Sequence, residues 1–265
     1  MEALPVVLAH GVRSSGTMWR AQVGALEAAG HRAVAVDLPG HGARRGQRFT
    51  LDGAVDALGA TIDDLGGRAL VVGLSLGGYV AVAHAARRPE QVAGLVAAAC
   101  CTRPRRVAVG GWALLARGIG LLPDAGAGLN QLMVDLTLAA EAAADVAAGG
   151  FALDVMDDVL REVGTLRPVE DLARVQAPVW LVNGRWDHFR TEERRFLRAC
   201  RDGRLVVLRG ARHLVSLDAP VAFSRVLLEA LDHVATLEAG GPGAAADEGR
   251  RAGGARPPAD VLTAP

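Results

Sequence analysis

The chain has 265 residues, of which 51% are hydrophobic and 22% charged, and this suits one large folded domain or a domain with an insertion. Its formal net charge is zero, which argues against nucleic acid or an anionic membrane surface as a partner. Every basic residue is an arginine. The lack of lysine excludes a P-loop phosphate lysine, a Ser-Lys dyad and a lysine Schiff base.

Cysteine usage and the first residues indicate the cellular context. Cys100, Cys101 and Cys200 are an odd number without Cys-x-x-Cys spacing, so we expect neither a disulfide framework nor a zinc site. Residues 1–9 combine an early acidic residue with an apolar run too short for a signal peptide, and no charge-free stretch has transmembrane length. We expect a cytoplasmic monomer or homodimer that acts on a small molecule, without cofactor, metal or stable membrane insertion.

Short apolar runs alternate with longer helical patterns, which predicts an α/β fold with a mostly parallel sheet and helices on both faces. About six strands are expected, at residues 5–9, 32–36, 69–72, 92–98, 179–182 and 205–208. Their nearly continuous apolar character is typical of strands covered on both faces. Right-handed crossovers place all their carboxyl ends on one edge of the sheet, where ligands bind in such folds.

The segments between these strands have helical periodicity. A first helix is expected around Met18 to Leu26, and a second over residues 51–65, where apolar residues recur every three or four positions after Thr50 as N-cap. A third begins directly after Ser75 and ends before Pro89. A last amphipathic helix covers residues 221–237.

Between residues 102 and 175 this alternation stops, and the segment contains helical patches without a strand pattern. We expect a helical lid over the strand ends, the alternative being a peripheral helical bundle. The expected substrate contacts in it are Trp112, Leu115, Met133 and Leu136. The core then comprises residues 1–101 and 176–237, and residues 238–265, rich in glycine and proline, are expected to be a disordered tail.

Ser75 lies in Gly73-Leu74-Ser75-Leu76-Gly77-Gly78, between an apolar run and a helical pattern. In such a strand–turn–helix unit the serine has a strained backbone, and small neighbours leave its hydroxyl exposed at the end of the sheet. The alternative is an ordinary glycine-rich turn, since the chain has 33 glycines. The strand-then-helix context favours a nucleophile.

A serine nucleophile needs a base that is oriented by a carboxylate. His213 follows the last predicted strand at the same edge as Ser75, and Asp187 follows the preceding strand, so we expect a Ser75–His213–Asp187 triad. Asp157 or Asp158 is the alternative carboxylate. The remaining histidines with clear positions are interpreted as structural or solvated: His31, His84 and His233.

The oxyanion of a tetrahedral intermediate needs backbone N–H donors. One is expected from Leu76, at the start of the helix after the nucleophile, where the helix dipole favours negative charge. The second is expected from Val12, in the loop after the first strand.

With these residues in place, the chain resembles the α/β-hydrolase fold superfamily, in its lid-bearing serine hydrolase and esterase branch, over about residues 4–237. The resemblance rests on Gly73-x-Ser75-x-Gly77-Gly78, on His10-Gly11, on Asp37-Leu38-Pro39-Gly40-His41-Gly42, and on the order Ser75, Asp187, His213. It implies that Asp37 and His41 are architectural. A serine at position 75 separates the chain from dehalogenases and epoxide hydrolases, which have aspartate there.

Two features depart from the family pattern. The chain enters its first strand without a preceding hairpin, so six parallel strands are expected instead of eight. Arg212 precedes the histidine where small residues are usual, and it either lowers the pKa of the base or faces solvent.

The expected function is hydrolysis of a carboxylic ester of a small, largely apolar substrate through an acyl-enzyme. The same triad would also serve C–C bond, thioester or lactone hydrolysis, or cofactor-free lyase chemistry. A third possibility is a ligand-binding member of the fold that has lost turnover.

Overall fold

One parallel sheet forms the centre of the protein. The structure is a computed structural model that describes residues 3–122, 124–251 and 261–264. The strand order is β2-β1-β3-β4-β5-β6-β7, and every pair is parallel. The strands are β1 (Val6–Ala9), β2 (Ala33–Val36), β3 (Ala69–Leu74), β4 (Val92–Ala98), β5 (Val179–Gly184), β6 (Gly203–Leu208) and β7 (Val261–Ala264).

The six predicted strands are present, and the α/β fold is confirmed. Every residue of β1, β3, β4 and β5 is buried, because helices cover both faces of the sheet. β3 and β5 each extend two residues beyond the predicted ends, into Gly73-Leu74 and Asn183-Gly184. The sequence did not predict these extensions because glycine and asparagine usually mark the end of a strand.

The helices of the described residues lie between the strands. They are α1 (Arg20–Ala28), α2 (Leu51–Asp64), α3 (Leu76–Arg87), α4 (Arg106–Gly120), α5 (Ala127–Thr137), α6 (Ala140–Ala148), α7 (Met156–Val163), α8 (Pro168–Leu172), α9 (Glu193–Ala199), α10 (Val215–Asp218) and α11 (Pro220–Arg251). Thr50 caps α2, since its side chain accepts a hydrogen bond from the Gly53 N–H at 3.0 Å. The predicted N-cap is therefore confirmed.

Two hydrophobic cores sandwich the sheet. On one face α1 packs against α11, with Leu26, Phe223 and Leu227 fully buried among the side chains of the strands. On the other face α2 packs against α3, and Leu58 and Val80 are fully buried. This arrangement leaves the carboxyl edge of the sheet accessible to the loops and to the insertion.

The insertion between β4 and β5 consists of α4 to α8, and the described residues between these strands contain no strand. Within it, α4 packs against α7, and α5 packs against α6. The predicted helical character of residues 102–175 agrees with this. No helix of the described residues combines the length and the apolar character that crossing a membrane requires.

The strand order places a binding crevice at one point of the sheet. The chain moves outward from β1 to β2 and then returns to the other side of β1 to form β3. The loops after β1 and β3 therefore diverge, which is where ligands bind in open α/β sheets. Those loops carry Val12 and Ser75.

The C-terminal part differs from expectation in its described residues. The predicted helix over residues 221–237 is present but continues as α11 to Arg251, and β7 pairs with β6. The alanines at 244–246 favour helix, which the glycine and proline content of the segment obscured. The rest of the predicted tail, residues 252–260 and 265, lies outside the described residues.

Candidate active site

Ser75 lies at the sharp turn between β3 and α3. Its backbone has φ 55° and ψ −112°, where L residues are strained. Its N–H donates to the Ala98 carbonyl at 2.8 Å, which ties the turn to the end of β4. A Cβ atom on Gly73 would overlap the carbonyl of Gly77, and one on Gly77 would overlap that of Ala9. Glycine is therefore required at both positions, as the sequence motif indicates.

His213 lies in the loop after β6, next to the serine. Its Nε2 atom is 3.0 Å from Ser75 Oγ, and its Nδ1 atom is 2.9 Å from Oδ1 of Asp187. When the carboxylate accepts from Nδ1–H, Nε2 carries the lone pair that can take the proton of the serine. The structure thus brings together the three residues that the sequence selected.

Asp187 is held in place beneath the imidazole. Its side chain is fully buried, and Oδ1 also accepts from the Phe189 N–H at 2.8 Å. Its Oδ2 atom is buried and has no hydrogen-bond partner among the described residues. The carboxylate is thus bound to the imidazole and to one backbone N–H, which suits a group that orients a histidine.

The loops after β5 and β6 are bound to each other through the backbone. The Arg185 N–H donates to the Leu208 carbonyl at 2.9 Å, and the Trp186 N–H donates to the Ala211 carbonyl at 3.0 Å. A Cβ atom on Gly184 would overlap carbonyls of the facing loop. This close approach fixes the distance between the carboxylate and the imidazole.

The predicted oxyanion donors, Val12 and Leu76, both line the cavity that contains Ser75. Leu76 is the first residue of α3, so its N–H has no partner within the helix and lies at the positive end of the helix dipole. The Gly77 N–H donates to the His10 carbonyl at 3.0 Å, which ties the loop after β1 to the serine turn. Val12 and Leu76 therefore share the cavity wall with Ser75.

His10 holds the loop that carries Val12. Its Nε2 atom accepts from the Leu38 N–H at 3.0 Å, so its Nδ1–H donates to the Gly11 carbonyl at 2.8 Å. Burial, and to a lesser extent His41, lowers the pKa of His10 to about 3. The ring is consequently neutral at neutral pH, which this pair of hydrogen bonds requires.

A cavity of about 580 Å³ has Ser75 and His213 in its wall. Half of the remaining wall residues are apolar side chains from α4 and α7, namely Val109, Trp112, Leu115, Ala116, Ile119, Met156, Val159, Leu160 and Val163. None of the described residues that line it is an aspartate or a glutamate. The size and lining suit a small, largely apolar ligand.

Two of the four predicted substrate contacts lie at this cavity. Trp112 and Leu115 line it, whereas Met133 and Leu136 are absent from the described wall and are 53% and 72% exposed. The latter pair lies on α5, which packs mainly against α6. Met133 and Leu136 therefore lie outside the described wall of this cavity, because apolar periodicity identifies a helix but not its position.

The alternative carboxylates of the insertion are paired elsewhere. Asp158 accepts from Arg48 at 3.1 Å, and Asp157 lies 3.7 Å from Arg117. These ion pairs join α7 to the core and to α4. They leave Asp187 as the carboxylate bound to His213.

The wall residues that sequence reasoning missed include Arg13, His188 and Phe189. The rings of His188 and Phe189 have their centroids 4.9 and 5.0 Å from that of His213, and Phe189 stacks on Trp112 at 6.2 Å. Burial, together with His213, lowers the pKa of His188 below its usual value. Their positions in the sequence could have identified them, because Arg13 follows Val12, and His188 and Phe189 follow Asp187.

Asp187, His188 and His213 bring possible metal-ligand atoms within 4.8 Å of one another. Two of these atoms already share a hydrogen bond of 2.9 Å, so a cation would have to displace the proton between them. The donor set therefore fits a proton relay better than a resident metal.

The Arg212 side chain is half exposed and has hydrogen-bond partners of its own. Its side chain forms an ion pair with Asp218 at 3.0 Å and donates to the carbonyl of Thr137 at the end of α5. This contact connects the loop of the histidine to the insertion.

The remaining polar motif residues have structural partners. Asp37 accepts from the N–H groups of Gly16 and Ala43 at 2.7 and 2.8 Å, and buried His41 has its Nδ1 atom 3.0 Å from the Pro39 carbonyl. The architectural interpretation of this loop is consistent with these contacts. The other histidines bind backbone or surface groups: His31 with Leu4, His84 with Val55 and His233 with Arg204.

A sequence model of the alpha/beta hydrolase family matches residues 6–226. The chain belongs to this family. The match begins at β1 and ends within α11, so it includes Ser75, Asp187 and His213. The resemblance inferred from the motifs is confirmed.

Among curated relatives of this alpha/beta hydrolase, a lipase from Mycobacterium tuberculosis is 42% identical over 93 residues, or 34% of the chain and 35% of the relative. A 2-hydroxy-6-oxononadienedioate/2-hydroxy-6-oxononatrienedioate hydrolase from Burkholderia vietnamiensis is 41% identical over 100 residues, 34% of each. The matches span about a third of these relatives. A solved thermophilic esterase from Thermogutta terrifontis has a TM-score of 0.72 and 23% identity over 88% of this chain and 90% of its own, which supports the fold.

Proposed function

We propose that the protein hydrolyses a carboxylic ester of a small, largely apolar substrate through an acyl-enzyme. The observation that carries this proposal is the hydrogen-bonded chain from Ser75 Oγ through His213 to Asp187, at the wall of an apolar cavity. Ser75 Oγ attacks the carbonyl carbon while His213 Nε2 takes its proton. The protonated imidazole then returns the proton to the leaving alkoxide as the acyl C–O bond breaks.

Deacylation uses the same groups with water as the nucleophile. His213 takes a proton from water, the hydroxide attacks the acyl carbon, and the proton then goes to Ser75 Oγ as the acid leaves. Asp187 keeps Nδ1 protonated and stabilises the imidazolium in both steps. The Val12 and Leu76 N–H groups are the proposed oxyanion donors, and loss of one such donor costs about 10²- to 10³-fold in rate.

The apolar wall supports the proposed substrate class. Trp112 and Leu115 of α4 and Val159 of α7 face the same cavity as the nucleophile. We assign residues 102–175 the role of a lid that supplies this wall and limits access of water to the acyl-enzyme. We further propose that the protein is cytoplasmic, that it works as a monomer or homodimer, and that it acts on a small molecule without a cofactor.

The relatives' names support hydrolysis as the reaction class, and they include more than one bond type. Thioester, lactone and C–C substrates should therefore be assayed beside the esters. A fluorophosphonate probe separates all of these from a binding protein, because only an activated serine becomes labelled.

The direct test is release of p-nitrophenol from p-nitrophenyl esters of graded acyl length by the wild type and by Ser75→Ala. We expect turnover by the wild type and a rate at the buffer background for Ser75→Ala. Ser224→Ala is the matched control, since Ser224 is a buried serine on α11 that is not part of the described cavity wall. Equal rates for the wild type and Ser75→Ala would refute the proposal.

A further inference from the structure

Arg13 places a positive charge at the cavity wall that no described acidic residue neutralises. Its Nε atom is buried and has no hydrogen-bond partner among the described residues. The other guanidinium at the wall belongs to Arg103, which donates to Glu192 at 3.0 Å and forms an ion pair with it at 2.8 Å. Arg13 is thus the charged group of the described wall that is available to a ligand.

A half-buried guanidinium without a partner is unfavourable, because hydrogen-bond donors removed from water need acceptors. Burial lowers the pKa of Arg13 from its usual value, but a guanidinium remains protonated at any pH the protein meets. The largely apolar wall strengthens the attraction for an anion. The natural partner is a carboxylate, whose two oxygens match the planar N–H fork.

The backbone at Arg13 is also unusual. Its φ is 64°, in the left-handed region that residues with a side chain rarely adopt. The Arg13 carbonyl accepts from the Ala152 N–H of the insertion at 3.2 Å, which holds this conformation. Strained residues of this kind concentrate at ligand sites.

Arg13 is close in sequence to a residue that is proposed to bind the ester carbonyl. Arg13 directly follows Val12, one of the two proposed oxyanion donors, and both line the same cavity as Ser75. A substrate whose ester carbonyl lies at the Val12 N–H would therefore have the guanidinium within reach of a nearby second group. That group must be anionic and must be joined to the ester by an apolar spacer that fits the lid wall.

We propose that Arg13 binds a free carboxylate of the substrate, so that the preferred substrates are monoesters of aliphatic dicarboxylic acids. This inference rests on the proposed ester hydrolysis and narrows it to one substrate class. The methylene spacer lies along the apolar wall, and the acid end accepts from the guanidinium. The alternative is that Arg13 acts on the oxyanion or on the loop itself, which would affect charged and neutral esters equally.

The kinetic test compares mono-p-nitrophenyl adipate with p-nitrophenyl methyl adipate, in which the acid is capped as a methyl ester. We expect the wild type to have at least about tenfold higher kcat/KM for the free acid, the range of a charge-assisted hydrogen bond. Arg13→Gln should abolish this ratio and keep the rate on the capped ester within about threefold. Arg13→Lys should retain part of it, because the charge remains but the fork is lost.

The control variant is Arg87→Gln, which removes a surface arginine paired with Asp52 and should keep the wild-type ratio. A wild type without preference for the free acid would overturn the inference. An equal fall on both substrates in Arg13→Gln would also overturn it, since that outcome assigns Arg13 to the oxyanion or to folding.

A binding measurement separates this inference from the proposed chemistry. Calorimetry on the Ser75→Ala protein should show at least about tenfold tighter binding of monomethyl adipate than of dimethyl adipate, and Ser75→Ala/Arg13→Gln should lose that difference. Equal affinity for the two ligands overturns the inference even when the wild type is an active esterase. Conversely, turnover that does not depend on Ser75 refutes the proposed function without affecting this binding preference.

Discussion

Mild acid should destabilise this protein through its buried histidines. His10 and His84 are fully buried, and burial is the main cause that lowers their pKa values to about 3 and about 4, from 6.5. Between these values and 6.5 the unfolded chain binds protons that the folded protein does not. The free energy of unfolding is therefore fully retained above about pH 7 and decreases as the pH falls.

The size of the effect follows from the pKa values. One pH unit within the window corresponds to about 1.4 kcal/mol for each histidine. At pH 5 the loss is about 2 kcal/mol for His10 and about 2 kcal/mol for His84, relative to pH 8. A loss of about 4 kcal/mol is a large part of the stability of an ordinary domain.

Urea denaturation at pH 8, 7, 6 and 5 measures how the free energy of unfolding depends on pH. The variant His84→Gln shows how much of that dependence is due to His84. A glutamine amide can still donate to the Val55 carbonyl that His84 contacts, but it does not titrate. We expect the loss between pH 8 and pH 5 to be smaller by about 2 kcal/mol in His84→Gln than in the wild type. Because the same carboxylates titrate in both proteins, the difference between their pH slopes cancels the contribution of those carboxylates.

Thr61→Ala provides the control, since it removes a hydrogen bond to the Ala57 carbonyl from α2 without removing a titrating group. It should change stability by the same amount at all four pH values. An unchanged pH slope in His84→Gln would refute the assignment of a neutral buried ring.

Three further substitutions test other parts of the structure. Thr50→Ala removes the cap of α2 and should lower the free energy of unfolding by about 1 kcal/mol in urea. Gly77→Ala places a Cβ atom against the Ala9 carbonyl, so circular dichroism should show loss of folded protein. Asp187→Asn removes the carboxylate that orients His213, and kcat should fall by about 10⁴-fold with little change in Tm.

Matched variants control these experiments. Gly24→Ala adds a Cβ atom in α1 where nothing lies within 4 Å, and it should be tolerated. Asp157→Asn removes an exposed acid of α7 and should leave kcat unchanged. A folded Gly77→Ala protein would contradict the steric argument, and an Asp187→Asn enzyme with most of its kcat would contradict the role of the carboxylate.

The sheet could be predicted from sequence because burial on both faces leaves a strong local pattern. Each of the six predicted strands is a short run of aliphatic residues between turn signals, and all of them exist. The end of α11 and the pairing of β7 carry no such pattern, since residues 238–264 are dominated by alanine, glycine and proline. Their placement depends on contacts that composition does not encode.

The Ser75–His213–Asp187 arrangement could also be predicted, because chain order and parallel topology fix which loops share an edge. The cavity wall could not, since Met133 and Trp112 have similar helical patterns but lie on helices with different packing partners. Arg13 illustrates the remaining gap. Its importance arises from the lack of a neighbouring acid, which only three-dimensional packing reveals.

The contact between Arg212 and the Thr137 carbonyl has a practical consequence for redesign of this protein. Residues of α5 are absent from the described cavity wall, so shortening or replacing that helix would look harmless to an engineer who seeks new substrates. The contact reaches the residue beside His213, however, so a change in α5 would also remove a hydrogen bond that holds the loop of His213. Chimeras that exchange α4 and α7 but keep the end of α5 are therefore the better starting point.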